Sequence, residues 1–305
     1  MQAERRLAAL GALAGGVLAI SWSAIFVRWA KMPGVASAFY RMLIAAIVLW
    51  PILLFFGHSR RGLTRRTFWV TAAGGIFFAG DVGLWNVAVM HTSAGNATFL
   101  SNIAPLFVGL FTWILTRKLP AVRFWTALLV SLAGSCLIVA GDLRHALSRS
   151  RADGLAVLAA VCFALFLVIT GRLRERIDTA MLLALSTTAS AVTLLIWAAG
   201  AHISLAVPEI GSWWALLGLG LVCQVGGYFG LTYALGHLPV TVSSILWLTI
   251  APLTAAFAWM IFGDRMSAME ITGGLLVLAG VWIVGRREKA GVPQIEQAIP
   301  PVAQV

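Results

Sequence analysis

One carboxylate stands apart in a chain that has few. Of eleven acidic residues, Asp81 alone lies deep within an apolar run, where a carboxylate costs about 2.5–3.5 kcal/mol on membrane-insertion scales. Trp85 follows four residues later, so on a helix the two share a face, and Asn86 stands next to it. A carboxylate in that setting can meet an ammonium group, or bind and release a proton. A hydrogen bond to a neighbouring helix, or a position closer to the membrane surface, would account for it equally well.

Other polar and aromatic groups punctuate the apolar runs. Thr98 and Asn102 are spaced i, i+4 and lead into Pro105, whose missing N–H frees a carbonyl near Ser101. Ser244, Leu248 and Pro252 repeat that geometry, with Ser243 and Trp247 on a neighbouring face. Freed carbonyls can line a watery cavity. A hinge without ligand contact is the commoner use of such a proline, and a hinge is itself functional where a path must open and close. Gln224 and Tyr228 form a further i, i+4 pair, with Gly226-Gly227 allowing close approach of a helix or ligand. Ser21-Trp22-Ser23 and Phe163 hold similar places in two other runs.

Thirteen tryptophans are more than binding requires, and most belong in the belt at the membrane surface. Trp69, Trp213, Trp214 and Trp282 are assigned there. Trp22, Trp85 and Trp247 lie further from the ends of their runs and are assigned to a cavity. The candidate solute-binding set is therefore Trp22, Asp81, Trp85, Asn102, Gln224, Tyr228 and Trp247, with Pro105 and Pro252 as hinges. Arg41 could bind a carboxylate, but an arginine two turns into a span is long enough to snorkel to the outer interface, and that placement is expected. Arg28 is assigned to the interface, and His91 and His237 to structural places in tight turns.

Catalysis finds little support. One buried Asp without a histidine at the same depth makes no dyad, and HExxH, GxSxG and CxxC patterns are absent. Cys136, Cys162 and Cys223 match no disulfide or metal spacing and read as packing residues. No metal and no cofactor is expected, and the chain does not read as an enzyme. Channels carry filter sequences or charged rings, and none is present. Sensors and scaffolds usually add soluble domains, whereas the loops here are short.

The elements that position these groups follow from composition. The chain has 305 residues, 60% of them hydrophobic and 11% charged, with mean hydropathy +0.93; soluble domains carry about 25% charged residues. Leu7–Val27 runs 21 residues without a charge and Ile210–Gly263 runs 54, against about 20 needed to cross a bilayer as a helix. An all-α integral membrane protein is expected, with ten transmembrane helices near 7–29, 34–57, 67–90, 95–116, 122–141, 153–171, 178–201, 211–235, 240–262 and 268–285. The alternating segments of a β-barrel are missing.

The chain also repeats itself. IAPL at 103–106 returns at 250–253, Ala88 and His91 answer Ala234 and His237, and LLVSLAG at 128–134 answers LLVLAG at 275–280. A lag of about half the chain marks a duplicated membrane unit. With a cytoplasmic N-terminus, fifteen of the 22 basic residues fall on the inside, leaving seven elsewhere. Both termini are therefore expected in the cytoplasm. Five helices per unit is an odd number, so the second copy is inverted. Net charge +11 is explained by this bias, and no nucleic-acid partner is expected. The first run is too long for a signal peptide, and Trp22, Phe26 and Arg28 stand where small residues would precede cleavage. The expected divisions are 1–145 and 146–287, each a five-helix unit, with a disordered cytoplasmic tail at 288–305.

Ten spans in two inverted halves, with an Ala-Pro pair midway along the fourth and ninth helices, resemble the drug/metabolite transporter superfamily, EamA type, over about residues 5–286. The family often has an acidic residue at the end of the ninth span, which Gly263-Asp264 matches; Thr116-Arg117 departs from the pattern in the first half. The Trp-rich and Tyr-lined spans are most similar to bacterial exporters of aromatic or neutral amino acids. The resemblance implies an inner-membrane secondary transporter that exports amino acids or similar small amphipathic metabolites by alternating access through a cavity between the repeats. A nucleotide-sugar or drug/cation carrier of the same superfamily is the alternative, and a membrane-embedded enzyme a more distant one. The expected partners are a small amino acid-like solute and the lipid bilayer, with oligomeric state open.

Overall fold

Backbone N–H and C=O groups have no water to bond within a bilayer, so each apolar segment must satisfy its own. The computed structural model describes residues 2–55, 62–91, 100–143, 150–262 and 267–285, and among them there is helix and no strand. The helices are α1 Gln2–Ile20, α2 Ser23–Ala30, α3 Gly34–Phe55, α4 Arg65–His91, α5 Ala104–Thr116, α6 Val122–Leu143, α7 Ser150–Leu173, α8 Thr179–Gly200 and α9 Ser212–Leu217. A π-helical stretch, Gly218–Gly227, then leads into α10 Tyr228–Leu235, α11 Val240–Trp247, α12 Ile250–Phe262 and α13 Ala268–Gly285. Eight segments, α1 and α2 counted together, are long and apolar enough to cross a membrane, and Ala104–Thr116 and Val122–Ile138 are shorter apolar helices. Asp264, Thr98 and the tail from residue 288 lie outside the described residues.

Local chemistry sets the helix ends. Lys31 and Arg117 close α2 and α5 in the left-handed region, at φ 51 and 57, and Pro33-Gly34 then starts α3. Asp178 accepts from the Ala180 N–H at 3.0 Å to cap α8. Ser267 and Glu270 cap α13 reciprocally: the Glu270 N–H donates to Ser267 Oγ, and the Ser267 N–H to Glu270 Oε2. The outer surface is apolar, with Ile47, Leu54, Ile196, Leu275 and Trp282 exposed, as lipid contact requires.

Four interruptions break the regular helices. Ser21-Trp22 separates α1 from α2, Asn102-Ile103 precedes α5, Leu248-Thr249 separates α11 from α12, and the π stretch lies within the segment expected as one helix over 211–235. The second and third fall just ahead of the repeated prolines, Pro105 and Pro252. Carbonyls near each break bond at shorter range, as in Ile103 N–H to Leu100 O and Ala251 N–H to Leu248 O.

Packing partners are reciprocal. Helix α4 lies on α7 and α8, while the π stretch with α10 lies on α1 and α3. Helices α6 and α13 pair through glycines: a Cβ at Gly134 or Gly273 would sit 2.4 Å from the other's carbonyl oxygen. At the end of α7, Arg174 donates to the carbonyls of Thr232 and Ile177, tying the α7–α8 turn to α10. Burial pushes its guanidinium below the usual arginine range, with Asp178 and Tyr233 opposing.

Candidate functional site

The π stretch is where the polar groups converge. A wider helical turn strains the hydrogen-bond ladder and often marks a functional position. Here it carries Gln224, fully buried, and delivers Tyr228 at the first residue of α10. The side chain facing them is Arg41 of α3, which is 6% exposed. Its Nε donates to Gln224 Oε1 at 3.0 Å and its Nη1 to Ser23 Oγ at 3.2 Å. The guanidinium carbon stands 5.3 Å from the centre of the Tyr228 ring, a cation–π distance. Gln224 Nε2 in turn donates to Thr187 Oγ1 of α8 at 3.4 Å. Arg41 Nη2 is buried without a partner, and leaving a buried donor unmatched costs about 1–3 kcal/mol, more when it is charged.

This corrects the expectation for Arg41. Snorkelling requires a path along the helix to water, and at this depth Arg41 is instead enclosed by Ser23, Gln224 and Tyr228. Two acceptors and an aromatic face offset the loss of hydration.

An aromatic wall adjoins the arginine. Tyr228 lies 4.6 Å from Phe78 and 5.4 Å from Trp247, centre to centre; Phe78 stacks on Phe166 at 4.5 Å, and Phe163 stands 5.9 Å from Trp247. These rings come from α4, α7, α10 and α11. Asp81 lies one turn beyond Phe78 on α4. It is half-buried, and among the described residues its carboxylate has no hydrogen-bond or ion-pair partner. It lies beyond the 4.0 Å of an ion pair with Arg41, yet within reach of the fields of Arg41, Cys162 and Tyr228.

The remaining expected residues divide. Trp22 occupies the α1–α2 break, its ring 4.9 Å from Phe257, and Thr254 Oγ1 donates to the Ser21 carbonyl at 3.0 Å. The residues following Pro252 thus brace the break that presents Ser23 to Arg41. Trp85 is half-buried and pairs with no ring among the described residues. Asn102 donates to Ser135 Oγ of α6 at 3.4 Å, away from Arg41. Asn86 donates to the Gly34 carbonyl at 3.0 Å and clamps α4 to the start of α3. Pro105 is buried and Pro252 half-buried, each just past its helix break. Cys136, Cys162 and Cys223 are free.

Arg41, Thr187, Phe78 and Phe166 adjoin Gln224 or Tyr228 in this candidate cluster, and sequence reasoning did not place them there. Phe78 had a signal, since i, i+3 spacing puts it on the Asp81 face. Arg41 had one too, because a deep arginine needs an acceptor and Gln224 is an amide at comparable depth. Thr187 and Phe166 had none beyond their place in apolar runs.

Known proteins agree on the class. Residues 7–140 and 150–286 each match the EamA-like transporter family. Over 263 residues the chain is 27% identical to an uncharacterized transporter of Archaeoglobus fulgidus, covering 82% of this chain and 87% of that protein. It is 24% identical to the pseudopaline exporter CntI of Pseudomonas aeruginosa, covering 85% and 89%. One crystal structure superposes with TM-score 0.78 at 17% identity, over 93% of this chain and 98% of that one, a likeness of fold.

Proposed function

This chain belongs to the EamA-like transporter family, and we propose that it is an inner-membrane secondary transporter exporting amino acids or similar small amphipathic metabolites. The carrying observation is Asp81, a half-buried carboxylate without a hydrogen-bond partner among the described residues, one helical turn from Phe78, whose ring opens the aromatic wall of Tyr228, Trp247 and Phe163. An ammonium group is a natural counterpart for that carboxylate. The aromatic wall holds apolar side chains with little selectivity, and cation–π attraction adds about 0.5–2 kcal/mol once the cation is desolvated. The cluster draws on both matched segments, so a solute bound there would sit between two five-helix units, 1–145 and 146–287, inverted with both termini in the cytoplasm. Rocking one unit against the other would expose the solute first on one side and then on the other. Export is the direction carried by the name of the Pseudomonas relative.

The experiment is uptake and exchange in proteoliposomes, comparing phenylalanine, methionine, leucine and threonine with a nucleotide sugar. Faster movement of at least one amino acid than in empty vesicles is the expected result, and no movement of any would end the substrate reading. Asp81→Asn should reduce transport; normal rates in that variant would remove the ammonium role alone. A nucleotide-sugar carrier would call for several inward basic residues, whereas Arg41 is the one that joins this cluster. The unpartnered Asp81 specifically favours a second reading, a carrier of organic cations, which the same vesicles test with simple amines.

A further inference from the structure

We propose that Arg41 reads the anionic end of the solute, holding its carboxylate while Asp81 faces the ammonium group. The inference rests on the transport reading of the cluster and deepens it, because it defines the solute as a zwitterion and excludes simple amines.

The geometry points to a prepared donor. A guanidinium has five N–H groups, and Arg41 uses two of them on protein, one from Nε to Gln224 and one from Nη1 to Ser23. Those two bonds fix the plane of the fork, and its central carbon stands over the Tyr228 ring at 5.3 Å from the centre. At the end of the fork, Nη2 is buried without a hydrogen-bond partner. A planar carboxylate fits that edge with two parallel bonds.

Charge placement agrees. Asp81 is close enough to act on Arg41 electrostatically but forms no ion pair with it. A carboxyl group and a guanidinium that form no ion pair, with Phe78 one turn from the first and the Tyr228 ring 5.3 Å from the second, offer counterparts for the ammonium, carboxylate and apolar side chain of a free amino acid. A solute with only an ammonium group would answer Asp81 and leave Nη2 unmatched. One with only a carboxylate would do the reverse.

The test is competition in proteoliposomes holding the full chain. Whichever of phenylalanine, methionine, leucine and threonine is transported is used as the labelled solute. Its unlabelled form, its carboxamide and its decarboxylated amine then compete for transport. In the wild type the amide and the amine should compete at least about tenfold more weakly than the amino acid. Arg41→Gln should erase that gap, and Arg41→Lys, which keeps the charge without the fork, should fall between. Equal competition by amide and amino acid in the wild type would overturn the carboxylate role and leave the transport reading standing. If no amino acid is transported, both fall. The wild-type ligand series decides by itself, so an Arg41→Gln protein that does not fold leaves the test intact.

Discussion

Arg41 Nε and Gln224 Oε1, 183 residues apart in the chain, meet at 3.0 Å and join one matched segment to the other. Each partner also bonds within its own half, Arg41 to Ser23 and Gln224 to Thr187. An arginine buried at this depth is costly without acceptors, and the one for its Nε arrives only when the π stretch packs on α3. The bond therefore ties the register of the two halves to the construction of the site.

Replacing Gln224 with leucine should expose that dependence. Arg41 would keep Ser23 and the Tyr228 ring but lose its best-placed acceptor, leaving two guanidinium nitrogens unmatched. The expected loss is about 1–3 kcal/mol of stability, read as a lower thermal midpoint in detergent by tryptophan fluorescence. An unchanged midpoint would show that the bond contributes nothing net.

Much of this was legible in the sequence, for reasons particular residues make plain. The IAPL repeat located both helix breaks because proline cannot donate a backbone bond wherever it sits. Gln224 and Tyr228 were expected to be buried because polar groups in apolar runs are costly, and both are; Asp81 is half-buried. The environment of Arg41 was not legible, since snorkelling and burial are both open to a long side chain until a partner helix is placed. The π stretch was not read from the sequence, although its Gly220 and Gly227 permit the close contacts with Ile44 of α3 and Ile20 of α1. The contact of Asn102 with Ser135 was not legible from spacing, because a shared face does not say which neighbour that face meets.

Close packing of α6 and α13 should make their glycines intolerant of even one methyl group. A Cβ at Gly280 would sit 2.1 Å from Ser131 Oγ and 2.6 Å from the Ala127 carbonyl oxygen, whereas at Gly15 it meets nothing within 4 Å. Gly280→Ala is expected to cost about 1–3 kcal/mol through overpacking, and Gly15→Ala to change little. Thermal midpoints of the two purified proteins check the contrast, and equal midpoints would contradict the packing.

The topology can be read from outside. With fifteen of 22 basic residues on the proposed inner side, a reporter fused at Ser59 should report cytoplasm and one at Ser204 periplasm. Ser204 lies exposed in the turn between α8 and α9. Both reporters on one side would break the proposed arrangement.

The prolines offer the last test, because each stands just past a break in its helix. Asn102-Ile103 and Leu248-Thr249 interrupt the helices ahead of Pro105 and Pro252, and alanine at either site would restore a donor for the carbonyl one turn back. A continuous helix is stiffer, and opening on the two faces in turn requires each bend to move. Pro105→Ala and Pro252→Ala should therefore each slow transport several-fold, about as expected when a gating step becomes limiting, while circular dichroism stays unchanged. The double variant should be slower than either, since the two bends serve opposite faces. Initial rates in vesicles carrying equal amounts of protein measure this. Wild-type rates in both single variants would mean the breaks are only structural, fixed by packing such as that of Thr254 on the Ser21 carbonyl.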